Sequence, residues 1–299
     1  MEVLDDFLEY CAIEKKLDSK TIKAYKTDLQ QCLSITGNIP INQLSKEIIR
    51  TYIKEISCFH HKTIKRKLAS LNAMLNYFEW NDEWYMNPMR KMNVHMREPI
   101  RYPTVMSIDE VGMIIDIVKQ RSLQYPHDSF SYKLAKRNEA IIELLFASGM
   151  RVSELCDLQV RDVDLSIGRI RIIGKGNKER IIDVCQEATL KALTEWLACR
   201  GNYNDGSSFF CSRLGGKMSP QAVRLLVRQL TALCGIKKHV TPHTFRHTFA
   251  TLLLEEDVDV VYIQHLLGHS SILTTQIYTH VNLHKQREIL QTKHPRRKI

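Results

Sequence analysis

Polar side chains of the types used in phosphate chemistry occur in four separated stretches of the sequence. The stretches are residues 147–155, the turn around Lys175, residues 243–247 and residues 266–280. Two of them hold an arginine each, and a pair of guanidinium groups can clamp the non-bridging oxygens of a phosphate and the charge of its transition state. A tyrosine can act as the nucleophile, and a lysine can give a proton to the leaving group. The pattern therefore predicts chemistry at a phosphodiester.

Each of these residues also has a purely structural interpretation. An isolated arginine is usually an exposed helix residue, hairpin lysines are often exposed, and a tyrosine beside Ile277 fits a hydrophobic core. Two histidine pairs, His243/His247 and His265/His269, have the i, i+4 spacing of a helical metal site. Because no glutamate completes a His-Glu-x-x-His motif, the sequence does not favour zinc, and we expect no metal or other cofactor.

The composition favours a globular protein that binds a polyanion. The chain has 299 residues, 44% of them hydrophobic, with 43 Lys+Arg against 33 Asp+Glu and a net charge of +10. Apolar runs are too short for a membrane span, the acidic N-terminus does not resemble a signal peptide, and the eight cysteines lack close pairs. The sequence contains no P-loop and no dinucleotide-binding glycine motif. We expect a cytoplasmic protein with reduced thiols and no membrane partner.

The first hundred residues predict a small helical bundle. Apolar residues recur at helical spacing in four stretches, residues 3–11, 22–33, 48–56 and 64–78. Ser19 and Ser45 stand where helix N-caps are expected. The fourth helix opens with a basic run that is more often a solvated face, but that in a DNA-binding protein predicts contact with phosphates. The candidate DNA-binding residues of this run are Lys62, Lys65, Arg66 and Lys67.

A change of pattern near residue 100 predicts a domain boundary. Between residues 87 and 103 the helical periodicity is lost and three prolines appear, which is typical of an extended linker. We therefore expect an N-terminal domain over residues 1–95, a linker over 96–105 and a second domain over 106–299. Residues 101–299 hold 28 Lys+Arg against 20 Asp+Glu, so this part of the chain carries most of the positive charge.

The second domain is expected to be mostly helical with a small sheet. Ser107 and Glu110 form a capping box at the start of its first helix. Further helices are predicted over residues 137–147, 186–199, 219–234 and 242–255, the last capped by Thr241. Two β-rich runs, residues 169–173 and 179–184, flank a Gly-Lys-Gly-Asn turn and predict a hairpin.

Ordered motifs cover almost the whole chain. They are Ser-Lys-Thr-Ile-Lys-Ala-Tyr at 19–25, Gly-Met-Arg-Val-Ser-Glu-Leu at 149–155, Gly-Lys-Gly at 174–176, His-Thr-Phe-Arg-His at 243–247, and Leu-Leu-Gly-His at 266–269 with Thr-Gln-Ile-Tyr-Thr-His at 275–280. In this order and spacing they resemble the tyrosine recombinases of the phage integrase family, most closely the Xer branch. The resemblance implies a mainly α fold, with a four-helix SAM-like DNA-binding bundle followed by a mixed α+β catalytic domain.

The resemblance also implies a site-specific recombinase that cleaves and rejoins duplex DNA through a Holliday junction. Arg151 and Arg246 would hold the scissile phosphate, Tyr278 would attack it, and Lys175 would protonate the departing 5′ oxygen. The resulting 3′-phosphotyrosine keeps the energy of the broken bond, so that neither ATP nor a metal would be needed. The biological role would be resolution of chromosome or plasmid dimers, with integration or excision of a mobile element as the alternative.

Three further residues receive supporting roles from the resemblance. His243 and His269 would hydrogen-bond the phosphate or assist proton transfer, and Glu154 would orient Arg151 or His243. One departure from the family pattern is the segment Ser122–Lys136, which looks longer than usual and is expected to be a loop that alters a protein or DNA contact.

The partners that the resemblance implies are a duplex with a specific site and further recombinase subunits. The protein would be a monomer in solution and a homo- or hetero-tetramer on synapsed DNA, with a partner recombinase or accessory protein as an open possibility. Leu283, Ile289 and Leu290 offer apolar anchors for a C-terminal segment that docks on a neighbouring subunit. A type IB topoisomerase and a non-catalytic DNA-binding protein are the less favoured alternatives.

Overall fold

The computed structural model describes residues 2–82, 85–92, 103–174, 179–201, 204 and 206–268. The chain divides into two compact units, residues 1–100 and 101–299. Lys175, His269 and Tyr278 lie outside the described residues, as does most of the linker predicted over 96–105. Within the described part, no helix combines the length and the hydrophobicity that a membrane crossing requires.

The first unit contains the four predicted helices. They are α1 (Glu2–Ile13), α2 (Ser19–Ile35), α3 (Lys46–Glu55) and α4 (His61–Asn81). Their apolar stripes meet in one core, in which Phe7, Leu29, Ile49, Leu71 and Leu75 are almost completely buried. The helical bundle expected from the apolar spacing is therefore confirmed.

One of the two N-caps expected in this unit is wrong. Ser45 caps α3 by accepting a hydrogen bond from the backbone N–H of Ile48. Asp18, not Ser19, caps α2, because its carboxylate accepts from the backbone N–H of Lys20 at 2.8 Å while Ser19 is already helical. Both residue types are good caps, so the sequence Asp-Ser leaves the start of the helix uncertain by one position.

The second unit is helical around a small sheet. Up to residue 268, its helices are α5 (Ile108–Leu123), α6 (Phe130–Ser148), α7 (Val152–Asp157), α8 (Glu187–Cys199), α9 (Pro220–Leu233), α10 (Pro242–Glu255) and α11 (Val260–Leu267). Strands β1 (Val163–Asp164), β2 (Arg169–Ile173) and β3 (Glu179–Asp183) form an antiparallel sheet in that order. Pairing of Ile173 with Glu179 closes the predicted hairpin, and the capping box of Ser107 and Glu110 is confirmed.

Helix α6 is the centre of this unit. Its residues Ile141, Ile142, Leu144 and Leu145 are fully buried on successive faces, as expected for a helix that is surrounded by others. It packs against α5, α8 and α10. The C-terminal end of α6 is therefore held firmly by packing, and it sets the position of the residues that follow.

The start of α6 and the loop expected before it require correction. The helix begins at Phe130, not at residue 137, with Ser129 as its N-cap, and α5 runs to Leu123. Only residues 124–129 of the segment Ser122–Lys136 connect the two helices. The first turns of α6 show no hydrophobic pattern because charged residues occupy their inner face. The buried Lys136 forms ion pairs with Glu139 and Glu195.

Candidate active site

Arg151 is held at the entrance to α7. Helix α6 ends at Gly149, whose left-handed conformation (φ +57°) turns the chain so that Arg151 becomes the residue before α7. The Glu154 carboxylate accepts from the backbone N–H of Arg151 and from its Nη1, both at 2.8 Å. About a third of the Arg151 side chain stays exposed, so the guanidinium is fixed on one side and open on the other.

The turn at Gly149 leaves no room for a side chain. A Cβ added there would lie 2.6 Å from Cδ1 of Phe249 and 2.9 Å from Cδ2 of Leu267. Both the backbone angle and the close packing therefore require glycine at the position that leads into Arg151.

Arg246, on α10, joins the ends of two other helices. Its side chain is buried, and Nη1 donates to the Gly149 carbonyl at 2.8 Å while Nη2 donates to the Leu267 carbonyl at 2.7 Å. These carbonyls belong to the C-terminal ends of α6 and α11, where backbone oxygens lack helical partners and the helix dipole is negative. The buried Arg246 guanidinium is thus hydrogen-bonded to helix-end carbonyls, whose partial negative charge a cation stabilises.

The two arginines converge on one turn. Nη2 of Arg151 donates to the Gly268 carbonyl at 3.3 Å, next to the Leu267 carbonyl that accepts from Arg246. The structure therefore brings Arg151, Arg246 and Glu154 together at the end of α11. In the sequence, His269 follows this turn directly and Tyr278 follows ten residues after Gly268.

Two histidines on α10 are influenced by the charge of Arg246. Partial burial, together with the charges of Arg246, Arg224 and Arg151, lowers the pKa of His243. Burial, His243 and Arg246 lower the pKa of His247 to about 4. Both imidazoles are therefore neutral at pH 7 and can hydrogen-bond without adding charge. Among the residues with described positions, no three groups that could ligate a metal come together.

Sequence reasoning missed two arginines at this site. Arg224 on α9 contributes to the low pKa of His243. Arg180 on β3 donates from Nη1 and Nη2 to the two oxygens of Glu154, at 3.0 and 2.7 Å. The alternation of side chains along a strand indicates that Arg180 points inward, because Arg180 and the buried Ile182 are two residues apart and lie on the same face of β3.

The Glu154 carboxyl group, which lies between Arg180 and Arg151, has a very low pKa. Burial would raise the pKa of Glu154, but hydrogen bonds from Arg180 and from the Arg151 backbone outweigh it and hold the pKa at about 2. Glu154 is therefore ionised at every pH in which the protein is expected to work.

The basic run at the start of α4 is only partly a surface. Lys62, Lys65 and Arg66 are exposed, whereas Lys67 is buried and pairs with buried Asp28 at 3.2 Å. The expectation that Lys67 belongs to a DNA-contacting face is therefore wrong for this structure. Its position explains this, because residue 67 lies on the same helical stripe as the buried apolar residues 64, 68 and 71.

Comparison with known proteins identifies the family. The phage integrase family model matches residues 105–285, and the model of the phage integrase N-terminal SAM-like domain matches residues 4–81. A tyrosine recombinase of Agathobacter rectalis is 42% identical over 98% of this chain and 96% of its own length. The tyrosine recombinase XerC of Thermodesulfovibrio yellowstonii is 34% identical over 98% and 96%.

The fold matches as well. The crystal structure of the XerH site-specific recombinase bound to palindromic difH substrate superimposes with a TM-score of 0.76 at 22% identity, over 97% of this chain and 84% of that one. On the strength of the family model and the curated relatives, the chain belongs to the phage integrase family of tyrosine recombinases, enzymes that cleave and rejoin DNA with a tyrosine nucleophile.

Proposed function

We propose that this recombinase holds the scissile phosphate with Arg151 and Arg246 and attacks it with Tyr278. The observation that carries the proposal is the convergence of both guanidinium groups on the Leu267–Gly268 turn, from which the chain continues towards the tyrosine. A guanidinium carries five N–H donors in a planar fork, a geometry that suits the oxygens of a phosphate.

The charges around this turn favour a tyrosine nucleophile. The phenol has an ordinary pKa of about 10, so its attack is helped by a cationic pocket that stabilises the phenolate. Oxygen Oη gives its proton to His243 or His269 and bonds to phosphorus, the bond to the 5′ oxygen breaks, and that oxygen takes a proton from Lys175. His243 and His269 hydrogen-bond the phosphate or relay protons, and Glu154 orients Arg151.

The reverse reaction needs no external energy. A 5′ hydroxyl attacks the phosphotyrosine and restores a phosphodiester, so one ester replaces another of similar energy. We expect cleavage and joining to proceed in EDTA and without ATP.

The partners of the reaction are duplex DNA and further copies of a recombinase. The N-terminal domain (residues 1–95) presents Lys62, Lys65 and Arg66 to phosphates, and the catalytic domain (residues 106–299) follows the linker over 96–105. We expect a monomer in solution and a tetramer on two synapsed sites. A partner recombinase or accessory protein is compatible with this arrangement.

An apolar groove in the catalytic unit suits the C-terminal segment of a neighbouring subunit. The groove has a volume of about 400 Å³ and lies between α5, α6, α10 and the start of α8, with Ile115, Phe146, Phe249 and Leu253 among its lining residues. Apolar side chains at Leu283, Ile289 and Leu290 give the segment after Tyr278 the matching chemistry. Removal of residues 282–299 should abolish synapsis while leaving cleavage by a single subunit.

Capture of DNA from sheared genomic DNA of the source organism tests the central proposal. Wild-type protein should recover fragments as covalent adducts, and a nicked duplex built from the recovered sequence then serves as the suicide substrate. Arg151→Ala should cleave it about 10² to 10³-fold more slowly, because one oxyanion donor is lost. The matched control is Arg169→Ala, which removes an exposed arginine paired with Asp183 on the hairpin and should cleave normally.

The recovered sequences also separate two biological roles. A single chromosomal or plasmid site would support dimer resolution, which we favour because the full-length relatives carry Xer names. Ends of a mobile element would support integration or excision. Equal cleavage by Arg151→Ala and wild type would contradict the proposed phosphate clamp.

A further inference from the structure

Arg180 forms a paired ionic contact beside the two arginines of the site. Its two terminal nitrogens bind the two carboxylate oxygens of Glu154, at 3.0 and 2.7 Å, and its side chain is only 14% exposed. Paired, parallel hydrogen bonds of this kind fix both partners in distance and in orientation. Glu154 and Arg180 therefore act as one rigid unit.

Glu154 passes this rigidity to Arg151. The same two oxygens that bind Arg180 accept from Nη1 and from the backbone N–H of Arg151. Without Arg180, the carboxylate could rotate and would keep only the Arg151 contacts in a buried setting. A buried carboxylate that loses one cation binds the remaining one differently, so the Arg151 guanidinium would shift.

Arg180 also supports the turn at the end of α11. A Cβ added at Gly268 would lie 3.0 Å from Nη1 and 3.1 Å from Cδ of Arg180, so the guanidinium packs directly against this residue. The Gly268 carbonyl is the group that accepts from Nη2 of Arg151. Arg180 therefore contacts both residues to which the Arg151 guanidinium is hydrogen-bonded, Glu154 and Gly268.

The position of Arg180 in the sequence adds a third connection. It stands on β3 opposite Ile172 of β2, and Lys175 belongs to the segment that joins these strands. The strand that Arg180 anchors to α7 is thus the one that follows the lysine assigned to the leaving oxygen.

We propose that Arg180 is a positioning residue of the cleavage reaction, which acts through Glu154 and Gly268 to hold the Arg151 guanidinium against the scissile phosphate. The inference rests on the proposed phosphate-binding role of Arg151. It assigns no contact between Arg180 and the DNA. The effect of replacing Arg180 should therefore appear in the rate of the chemical step and not in DNA affinity.

Three variants test this role. Arg180→Met removes the charge and keeps much of the side-chain volume, whereas Arg180→Lys keeps the charge and loses the paired geometry. The matched control is Arg171→Met, on the neighbouring strand, where a 41% exposed arginine pairs with Asp162 at 2.7 Å. The substrate is the suicide duplex derived from the captured DNA, used at saturating protein to give a single-turnover rate.

A second substrate reports on the arginine clamp of which Arg151 is a part. A methylphosphonate at the scissile position replaces one non-bridging oxygen by a methyl group and removes the charge that Arg151 and Arg246 neutralise. On the ordinary phosphodiester we expect Arg180→Met to cleave about 10²-fold more slowly, as for a misplaced catalytic group. On the methylphosphonate its deficit relative to wild type should shrink to less than about tenfold, because Arg151 has less charge to stabilise.

The remaining measurements complete the test. DNA affinity of Arg180→Met should stay within about twofold of wild type, Arg180→Lys should be intermediate in rate, and Arg171→Met should match wild type. A phosphodiester rate equal to wild type, or an equal deficit on both substrates, would overturn the inference. If Arg180→Met does not fold, the ratio of the two rates in Arg180→Lys decides, because stability cancels within one variant.

These outcomes are separable from failure of the proposed function. If wild-type protein forms no adduct at Tyr278, the proposed function fails. If wild type forms the adduct and Arg180 variants cleave normally, only the positioning role fails.

Discussion

Gly149→Ala is the sharpest test of how the site is built. Glycine there has φ +57°, and the left-handed region costs an L-residue about 1–2 kcal/mol. The new methyl group would also lie 2.6 Å from the Phe249 ring and 2.9 Å from Leu267, inside a packed core. Overpacking of this kind costs about 1–3 kcal/mol, so we expect a total loss of about 2–5 kcal/mol.

Gly235→Ala separates the two contributions. Gly235 has a similar angle (φ +68°), lies in the same unit, and has open space within 4 Å of the place where a Cβ would stand. It should lose only the backbone part, about 1–2 kcal/mol. The entropy that alanine removes from the unfolded chain is the same in both variants and cancels in the comparison.

Thermal unfolding gives the measurement. For a unit of about 200 residues, 1 kcal/mol corresponds to about 2–4 °C in Tm, so Gly149→Ala should melt several degrees below Gly235→Ala. Cleavage should fall as well, because the displaced Gly149 carbonyl is a partner of Arg246. Equal Tm values for the two variants would refute the packing argument.

Three other predictions concern single side chains. Lys67→Met should destabilise the N-terminal unit by about 1–3 kcal/mol because buried Asp28 loses a partner, whereas Lys62→Met should leave urea unfolding unchanged and weaken DNA binding in a salt titration. Burial holds the pKa of His247 at about 4 against an ordinary 6.5, so its neutral ring stabilises the fold above pH 6.5 and this contribution is lost as the pH falls towards 4. As the pH falls from 6.5 to 4, the stability of His247→Asn should therefore fall by about 1–2 kcal/mol less than that of wild type, because solvent screens part of the effect at this half-buried ring. An unchanged slope of Tm against pH would contradict this. Lys175→Ala should regain cleavage on a substrate with sulfur as the 5′ bridging atom, and failure of rescue would assign the acid role to another group.

Helices and strands that are bounded by a capping residue, proline or glycine can be predicted from the sequence together with their boundaries. Thr241 followed by proline starts α10 where expected, and β2 and β3 pair on either side of the Gly-Lys-Gly-Asn sequence. Helices α7 and α11 escape prediction because six and eight residues are too few to show a periodicity. Tertiary packing, not local pattern, stabilises such short helices.

The site is predictable only as a set of residue types. The roles of Arg151 and Arg246 come from the family resemblance, because sequence spacing does not show that they meet at one turn. Arg180 is 26 residues from its partner Glu154, and Lys67 is 39 residues from Asp28. A charged residue in the sequence indicates an exposed side chain. Arg180 and Lys67 are nevertheless largely buried, because each pairs with a carboxylate that is distant in the sequence.

Identification of the DNA-linked residue by mass spectrometry tests the central claim most directly. Adducts trapped on the suicide duplex are digested with protease and nuclease, and the peptide that carries a nucleotide through its 3′ phosphate is sequenced. We predict linkage at Tyr278, loss of all adduct in Tyr278→Phe with DNA binding retained, and normal adduct in Tyr262→Phe, which removes an exposed tyrosine on α11. A nucleotide on any other residue, or adduct persisting in Tyr278→Phe, would contradict the account.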